Sequence, residues 1–90
     1  YFNMAVSCSR KAYQENIRAK CQYGTHLTAE KNAKGELLLC AEGLPVGTVS
    51  GSRQAEFEDN AQLIKDITVS KLTENDSGKM LLGAEVKLGI

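Results

Sequence analysis

The chain has 90 residues, of which 42% are hydrophobic and 24% charged, and its eleven basic and eleven acidic side chains cancel at pH 7. These values are typical of one small globular domain and exclude a disordered chain or a second hydrophobic core. The longest apolar run, Leu37–Ala41, is far shorter than the roughly 20 residues that span a bilayer. We therefore expect no membrane contact and a single compact domain over residues 4–90, after a purification-tag remnant at residues 1–3.

The N-terminus and the cysteine count together predict a cytoplasmic protein. The first residues lack the charged, apolar and small-residue regions of a signal peptide. Cys8, Cys21 and Cys40 are an odd number of cysteines, which favours reduced thiols over a disulfide framework. One disulfide bond plus one free thiol is the alternative.

Charge is distributed unevenly along the chain. Residues 1–40 hold six Lys or Arg and three Glu, whereas residues 41–90 hold five basic and eight acidic side chains. Such asymmetry is typical of a binding face, or of two halves that neutralise each other when they fold together.

The N-terminal part of the chain changes its apolar period part-way. Ala5–Asn16 has only a thin apolar stripe, so we expect an irregular arm or a single helical turn there, with a short helix capped by Ser9 as the alternative. Over Ile17–Tyr23 apolar and polar residues alternate, which predicts a strand whose polar face carries Arg18 and Lys20. The alternation is interrupted at Gly24, a candidate bulge or bend, and then resumes.

The middle of the chain predicts a hairpin. Asn32–Gly35 has the composition of a turn. Glu36–Ala41 is apolar on both faces, as expected for a central strand. Glu42–Pro45 predicts a tight turn, and Val46–Ser50 predicts the returning strand.

A helix is predicted after this hairpin. The Ser52 hydroxyl is a candidate N-cap that accepts a hydrogen bond from the first helical turn. Phe57, Ala61 and Ile64 follow at helical spacing, which predicts one buried stripe.

The C-terminal part predicts two further strands. Ile67–Leu72 is the first, and Asn75–Gly78 is a strong turn signal. In the last strand strict alternation fixes the register, because every second residue is apolar: Met80, Leu82, Ala84, Val86, Leu88 and Ile90. This long, regular strand offers an edge through which a homodimer could pair.

The predicted fold class is therefore α+β. We expect a small, strongly curved antiparallel sheet or open barrel of about five strands, in the order ββ(β)αββ. The single helix would close one end of the barrel.

The sequence gives reasons against most enzymes. His26 is the only histidine, and it could in principle activate Cys21 or Cys40 as a thiolate nucleophile. Both cysteines fall in apolar phases of their strands, where thiols are usually inert packing groups. We therefore predict that the protein is not an enzyme.

Neither a metal nor a cofactor is predicted. The three cysteines and His26 would supply the four ligands that a structural zinc site needs. They lack, however, the closely spaced ligand pairs of such sites. Glu56, Glu58 and Asp59 would fan apart on a helix rather than converge. Gly51-Ser52 opens a helix and could attract a phosphate, although it has no phosphate-loop motif.

The best candidate for a binding surface is basic and aromatic. Five side chains form the predicted set: Arg18, Lys20, Tyr23, His26 and Arg53. Cations interleaved with aromatic rings on a small β-barrel suit single-stranded nucleic acid. Zero net charge and few aromatics argue against this partner.

Residues 17–88 resemble the HIRAN domain, a small β-rich module found beside DNA-repair helicases. The likeness lies in the central strand Leu37–Ala41, the Leu44-Pro45 step, Val46–Val49 and the helix after Ser52. The family has an aromatic residue where this chain has Thr48. The resemblance implies binding of DNA ends.

Taken together, these features predict a small stand-alone, non-catalytic binding module. It would act by occluding or recruiting a protein partner. The alternative is a domain that binds single-stranded nucleic acid or DNA ends.

Overall fold

The computed structural model describes residues 1–49 and 51–89. Within them the chain is α+β, with two α-helices and six strands. The elements follow in the order β1 (Phe2–Val6), α1 (Lys11–Lys20), β2 (Thr28–Lys31), β3 (Leu37–Ala41), β4 (Leu44–Val49), α2 (Ser52–Asp59), a 3₁₀ turn (Ala61–Leu63), β5 (Ile64–Glu74) and β6 (Met80–Leu88).

The strands form two antiparallel sheets of three strands each. The first sheet has the order β1-β6-β5 and the second the order β2-β3-β4. The predicted α+β class with antiparallel pairing is thus confirmed. The predicted count of five strands and one helix is wrong, because the N-terminal part contributes a strand and a helix that alternation did not indicate.

Short bridges join the two sheets at both of their edges. At one seam the Ser7 N–H donates to the Thr48 carbonyl at 2.7 Å, and the Thr48 N–H donates back at 2.9 Å. At the other seam the Leu27 N–H donates to the Ile67 carbonyl at 2.8 Å. The sheets therefore curve around one shared core, although the second seam is only a few residues long.

The strand predicted over Ile17–Tyr23 is wrong, since residues 11–20 form α1. The local sequence is rich in Ala, Gln, Glu, Arg and Lys, which lose little side-chain freedom in a helix. Ile17 is fully buried and Tyr13, one turn earlier, is half-buried. This i, i+4 pair supplies the contact with the core, whereas the apparent alternation has no second buried member inside the helix. The expectation of an arm or single turn before it is also wrong.

Residues 2 and 3, which the sequence assigned to a tag remnant, lie in β1. They pair with Val86 and Glu85 of β6. Pairing on both sides makes β6 the central strand of its sheet. Its outward and inward residues alternate as predicted, with Leu82, Ala84 and Val86 buried. It therefore offers no edge for the predicted homodimer pairing.

The helix predicted after the central hairpin is confirmed as α2, but its details differ. Gly51, with φ of 70°, precedes the helix as its cap, and Ser52 is the first helical residue without a capping side-chain bond. The helix ends at Asp59, so Ala61 lies in the 3₁₀ turn and Ile64 begins β5. The predicted buried stripe is therefore broken, and Phe57 is its only half-buried member inside α2.

The central hairpin is confirmed, but Leu44 and Pro45 lie in β4 and not in the predicted turn. β3 is the middle strand of its sheet, and Glu42 and Gly43 form the turn with φ of 51° and 83°. Positive φ at both central positions is the geometry that matches the twist of a two-residue hairpin. The predicted strand end at Ser50 and the inward position of Ile90 lie outside the described residues.

One hydrophobic core draws on both sheets and on α1. Its largest fully buried side chains are Met4, Ile17, Leu39, Val46, Val49 and Val86. α2 contributes only the half-buried Phe57. Helix α2 thus adds little apolar surface to the core.

Candidate functional site

The five predicted binding residues do not share one strand face. Arg18 and Lys20 lie in the last turn of α1, and Tyr23 lies in the loop after it. His26 lies two residues before β2 and forms a bridge with Thr68 of β5, whereas Arg53 lies on α2. The face predicted from alternation is therefore not formed.

The two cations of α1 tie the helix to two hairpins. Arg18 Nη2 lies 3.1 Å from Glu74 Oε2 and also donates to the Gly78 carbonyl in the β5–β6 turn. Lys20 Nζ lies 3.1 Å from Glu42 Oε2 in the β3–β4 turn. Both cations are thus paired with carboxylates of other elements.

The remaining charged candidates are paired as well. His26 Nδ1 lies 2.9 Å from Asp66 Oδ1, and this hydrogen bond is the main reason that the pKa of the Asp66 carboxyl is lowered. Arg53 Nη1 lies 2.9 Å from Glu56 Oε1 on the same helix. Tyr23, 66% exposed, is a single ring in a loop. Several of these pairs join the basic N-terminal half to the acidic C-terminal half, so folding neutralises the charge difference between the two halves.

The cysteines lack the properties of nucleophiles. All three are free and buried. Burial raises the pKa of the Cys21 and Cys40 thiols, with smaller contributions from Cys8 and Glu30 respectively. A thiol with a raised pKa carries less of the reactive thiolate near neutral pH. His26 faces Asp66 instead of a cysteine.

Across residues 1–49 and 51–89, no three His, Cys, Asp or Glu side chains converge as metal ligands. Among the same residues, no helix is both long and apolar enough to cross a membrane. On α2, Arg53 forms an ion pair with Glu56, and Glu58 forms one with Lys31 of β2. The carboxylates of the helix are thus held in separate pairs.

A concave surface lies between β2 and α2. This β2–α2 groove encloses about 400 Å³ and is lined by Ala29, Glu30, Lys31, Leu37, Phe57, Glu58 and Ala61. Its floor is apolar, because Leu37 is buried and Phe57 packs against the core from α2. Its rim is charged. An apolar floor with a few polar groups at the rim is typical of a binding site.

Two polar contacts hold α2 against the second sheet across this groove. Lys31 Nζ lies 2.7 Å from Glu58 Oε1, with both side chains substantially exposed. Gln54 Nε2 donates to the Gly35 carbonyl at 2.8 Å. These contacts, together with Phe57, set the position of the helix. They also hold the pKa of the Glu58 carboxyl below its usual range, with the Lys31 hydrogen bond as the main cause and Gln54 as the second.

One edge of β2 opens into the groove. Asn32 donates its N–H to the Glu36 carbonyl, so alternate residues Glu30 and Thr28 direct their backbone groups towards β3. Leu27 directs its N–H the opposite way, to β5. Ala29 and Lys31 share that outward direction, but the described residues supply no hydrogen-bond partner there.

A second depression lies on the outer face of the first sheet. It encloses about 330 Å³ around Gly83, between Ala5 on β1 and Lys71 on β5. Leu81, 41% exposed, forms part of its wall. Of the strands around it, β6 is paired on both sides, whereas β1 and β5 are the outer strands of the sheet.

Sequence reasoning missed the β2–α2 groove. Helical spacing predicts that Phe57 belongs to a buried stripe, and the alternation that resumes after Gly24, at Thr25, Leu27 and Ala29, predicts an ordinary strand. The available signal was the short, polar segment Thr28–Lys31, since short strands with charged residues are typical of sheet edges. The gap between α2 and this strand edge depends on the residue at which the helix ends. The sequence does not indicate that residue.

No model of a known protein family, no curated protein sequence and no solved structure matches the chain. The resemblance to the HIRAN domain therefore stays a prediction. Assignment of a function depends on the geometry of the described residues.

Proposed function

We propose that the protein is a small, non-catalytic binding domain that recruits or occludes a protein partner through the β2–α2 groove. The observation that carries this proposal is the coincidence of an unpaired strand edge with an apolar cavity of about 400 Å³. An edge supplies backbone hydrogen bonds, and a cavity beside it selects side chains.

The burial and pKa of the cysteines support a non-catalytic role. Their thiols are buried, and those of Cys21 and Cys40 have raised pKa values. The ion pairs support a protein over a nucleic acid. Arg18, Lys20 and Arg53 each face a carboxylate, which a phosphate backbone would have to displace at an electrostatic cost.

Selection from a random peptide library displayed on phage tests this function. We expect peptides that bind the folded protein and lose binding to Ala61→Arg, since Ala61 is exposed and lines the groove. Ala55→Arg is the matched control, because Ala55 is an exposed alanine of α2 that does not line the groove. Both variants should keep the circular dichroism spectrum of the parent.

Failure to select any peptide, or equal loss of binding in both variants, would contradict the proposal. A labelled single-stranded oligonucleotide provides the other arm of the test. Binding that falls steeply with added salt, and survives Ala61→Arg, would favour the nucleic-acid alternative.

A further inference from the structure

We propose that the segment held by the β2–α2 groove is an extended peptide bearing lysine or arginine, which adds to β2 as a further strand. This inference rests on the proposed function and specifies the partner's conformation and charge. Three properties of the groove support this proposal: the direction of the free backbone groups, the apolar floor of the cavity, and the sign of the charge at the rim.

The backbone of β2 selects an extended ligand. The N–H and C=O groups of Ala29 and Lys31 point away from β3, two residues apart, as in any strand edge. At the neighbouring seam Leu27 already makes the corresponding bond with β5. Beyond Leu27 no described backbone hydrogen bond joins β2 to β5, although β5 itself continues to Ile64. An added strand would continue the ladder that β5 leaves incomplete.

The cavity selects alternate apolar side chains. In an added strand, every second side chain would point towards the floor formed by Leu37 and Phe57. An amphipathic helix would present residues three and four apart and could not reach the free groups of Ala29 and Lys31, since its own backbone groups are already paired.

The rim selects a basic ligand. The two segments that flank the groove, residues 28–37 and 52–63, carry five acidic side chains and three basic ones. Two of the three bases are consumed by ion pairs, Lys31 with Glu58 and Arg53 with Glu56. Glu30 lines the groove, makes no ion pair with a described residue, and has its Oε1 3.9 Å from Cys40 Sγ. A lysine or arginine of the ligand would complement this excess.

A second copy of the chain is a poorer occupant. Pairing of β2 with its own copy would bring the same acidic excess to both sides of the interface. Like charges placed opposite each other across strands are destabilising. We therefore expect the chain to be monomeric through this edge.

The test uses a peptide selected on the intact protein and measures its affinity by fluorescence anisotropy. N-methylation of the peptide backbone, one position at a time, removes single N–H donors. We expect binding to fall roughly tenfold or more at alternate positions and little at those between, as for loss of a hydrogen bond in a strand pair. Lys or Arg in the peptide should be enriched over Asp or Glu.

Charge reversal on the protein gives the second arm. Glu30→Lys should weaken the peptide roughly three- to tenfold, as expected for one rim charge. Glu15→Lys, at an exposed position of α1, should leave affinity unchanged. Three results would overturn this inference while the proposed function stands. The first is a pattern of substitution effects in the peptide that repeats every three to four residues, and the second is an equal effect of N-methylation at every position. The third is a preference for acidic peptides. A dimer in sedimentation velocity that dissociates on Ala61→Arg would also overturn it.

Discussion

Lys31 Nζ lies 2.7 Å from Glu58 Oε1, so an ion pair joins the edge strand β2 to α2 across the mouth of the groove. The Lys31 side chain remains 60% exposed and the Glu58 side chain 40% exposed. An exposed ion pair contributes little to stability. Its position matters more than its energy, because it sets the distance between the helix and the strand that together form the candidate site.

The first prediction concerns the titration of Glu58. In the folded protein its pKa lies below the ordinary value, chiefly because of Lys31. A depressed pKa means that the stabilising contact is fully present above the unfolded-state pKa and is lost as the pH falls through the folded-state pKa. In carbon-detected NMR titrations, Lys31→Gln should raise the pKa of Glu58 towards its usual value.

The matched control for this titration is Lys34→Gln, at an exposed lysine that makes no ion pair with a described residue. It should leave the pKa of Glu58 unchanged. Equal Glu58 titration curves in the parent and Lys31→Gln would show that the ion pair is not maintained in solution.

The second prediction concerns the seam between the two sheets. A Cβ added at Gly47 would overlap the Val6 side chain and lie 2.8 Å from the Ser7 carbonyl oxygen. The backbone cannot yield without breaking the bridge between Ser7 and Thr48. We expect Gly47→Ala to lower the free energy of unfolding by about 1–3 kcal/mol or more, measured by urea denaturation.

Gly89→Ala is the control for this seam. Its added Cβ would meet the Lys65 side chain at 3.6 Å, an ordinary contact, and no positive φ is involved. A loss of stability at Gly89 equal to that at Gly47 would refute the claim that close approach at the seam limits the substitution.

The third prediction concerns the core. Leu39 is fully buried on β3, the central strand of the second sheet. Leu39→Ala should cost about 2–5 kcal/mol, since it removes apolar contacts and leaves a cavity. Leu81→Ala, at a 41% exposed position, should change the free energy of unfolding by about 0.5 kcal/mol or less. Equal costs would contradict the assignment of Leu39 to the core.

The fourth prediction concerns the thiols. Cys8, Cys21 and Cys40 are all buried and free. We expect alkylation by iodoacetamide at neutral pH to be slow in the folded protein and fast in urea, as followed by mass spectrometry. Rapid modification of Cys21 or Cys40 in the folded state would count against a non-catalytic role.

Much of the β structure could be predicted, because it follows from local rules. Strict alternation located β6, and the apolar run located β3 as a central strand. Asn75 accepts backbone hydrogen bonds from Ser77 and Lys79 through its side chain, as the turn composition predicted. These features need only a few neighbouring residues to specify them.

The N-terminal part could not be predicted for a physical reason. Residues 17–23 fit a strand by alternation and a helix by composition, and both patterns have few apolar positions. The contact of Ile17 with the core decides between them, and that contact depends on strands distant in sequence. The pairing of β1 with β6 likewise joins the two ends of the chain.

The candidate site escaped prediction for a related reason. Arg18 and Lys20 looked like an open basic face, but their partners Glu74 and Glu42 belong to distant hairpins. The β2–α2 groove is a gap between elements, and gaps depend on where elements end. The sequence indicated that α2 would exist, yet it did not indicate that the helix would end at Asp59.

The central claim is that β2 presents a free edge which a peptide strand completes. Amide hydrogen exchange, resolved by NMR before and after a selected peptide is added, tests this most directly. The Ala29 and Lys31 amides should exchange quickly in the free protein, while those of Thr28 and Glu30, which face β3, are protected. Peptide binding should slow exchange at Ala29 and Lys31 alone among these four residues. Unchanged exchange at both amides in the saturated complex would contradict the account.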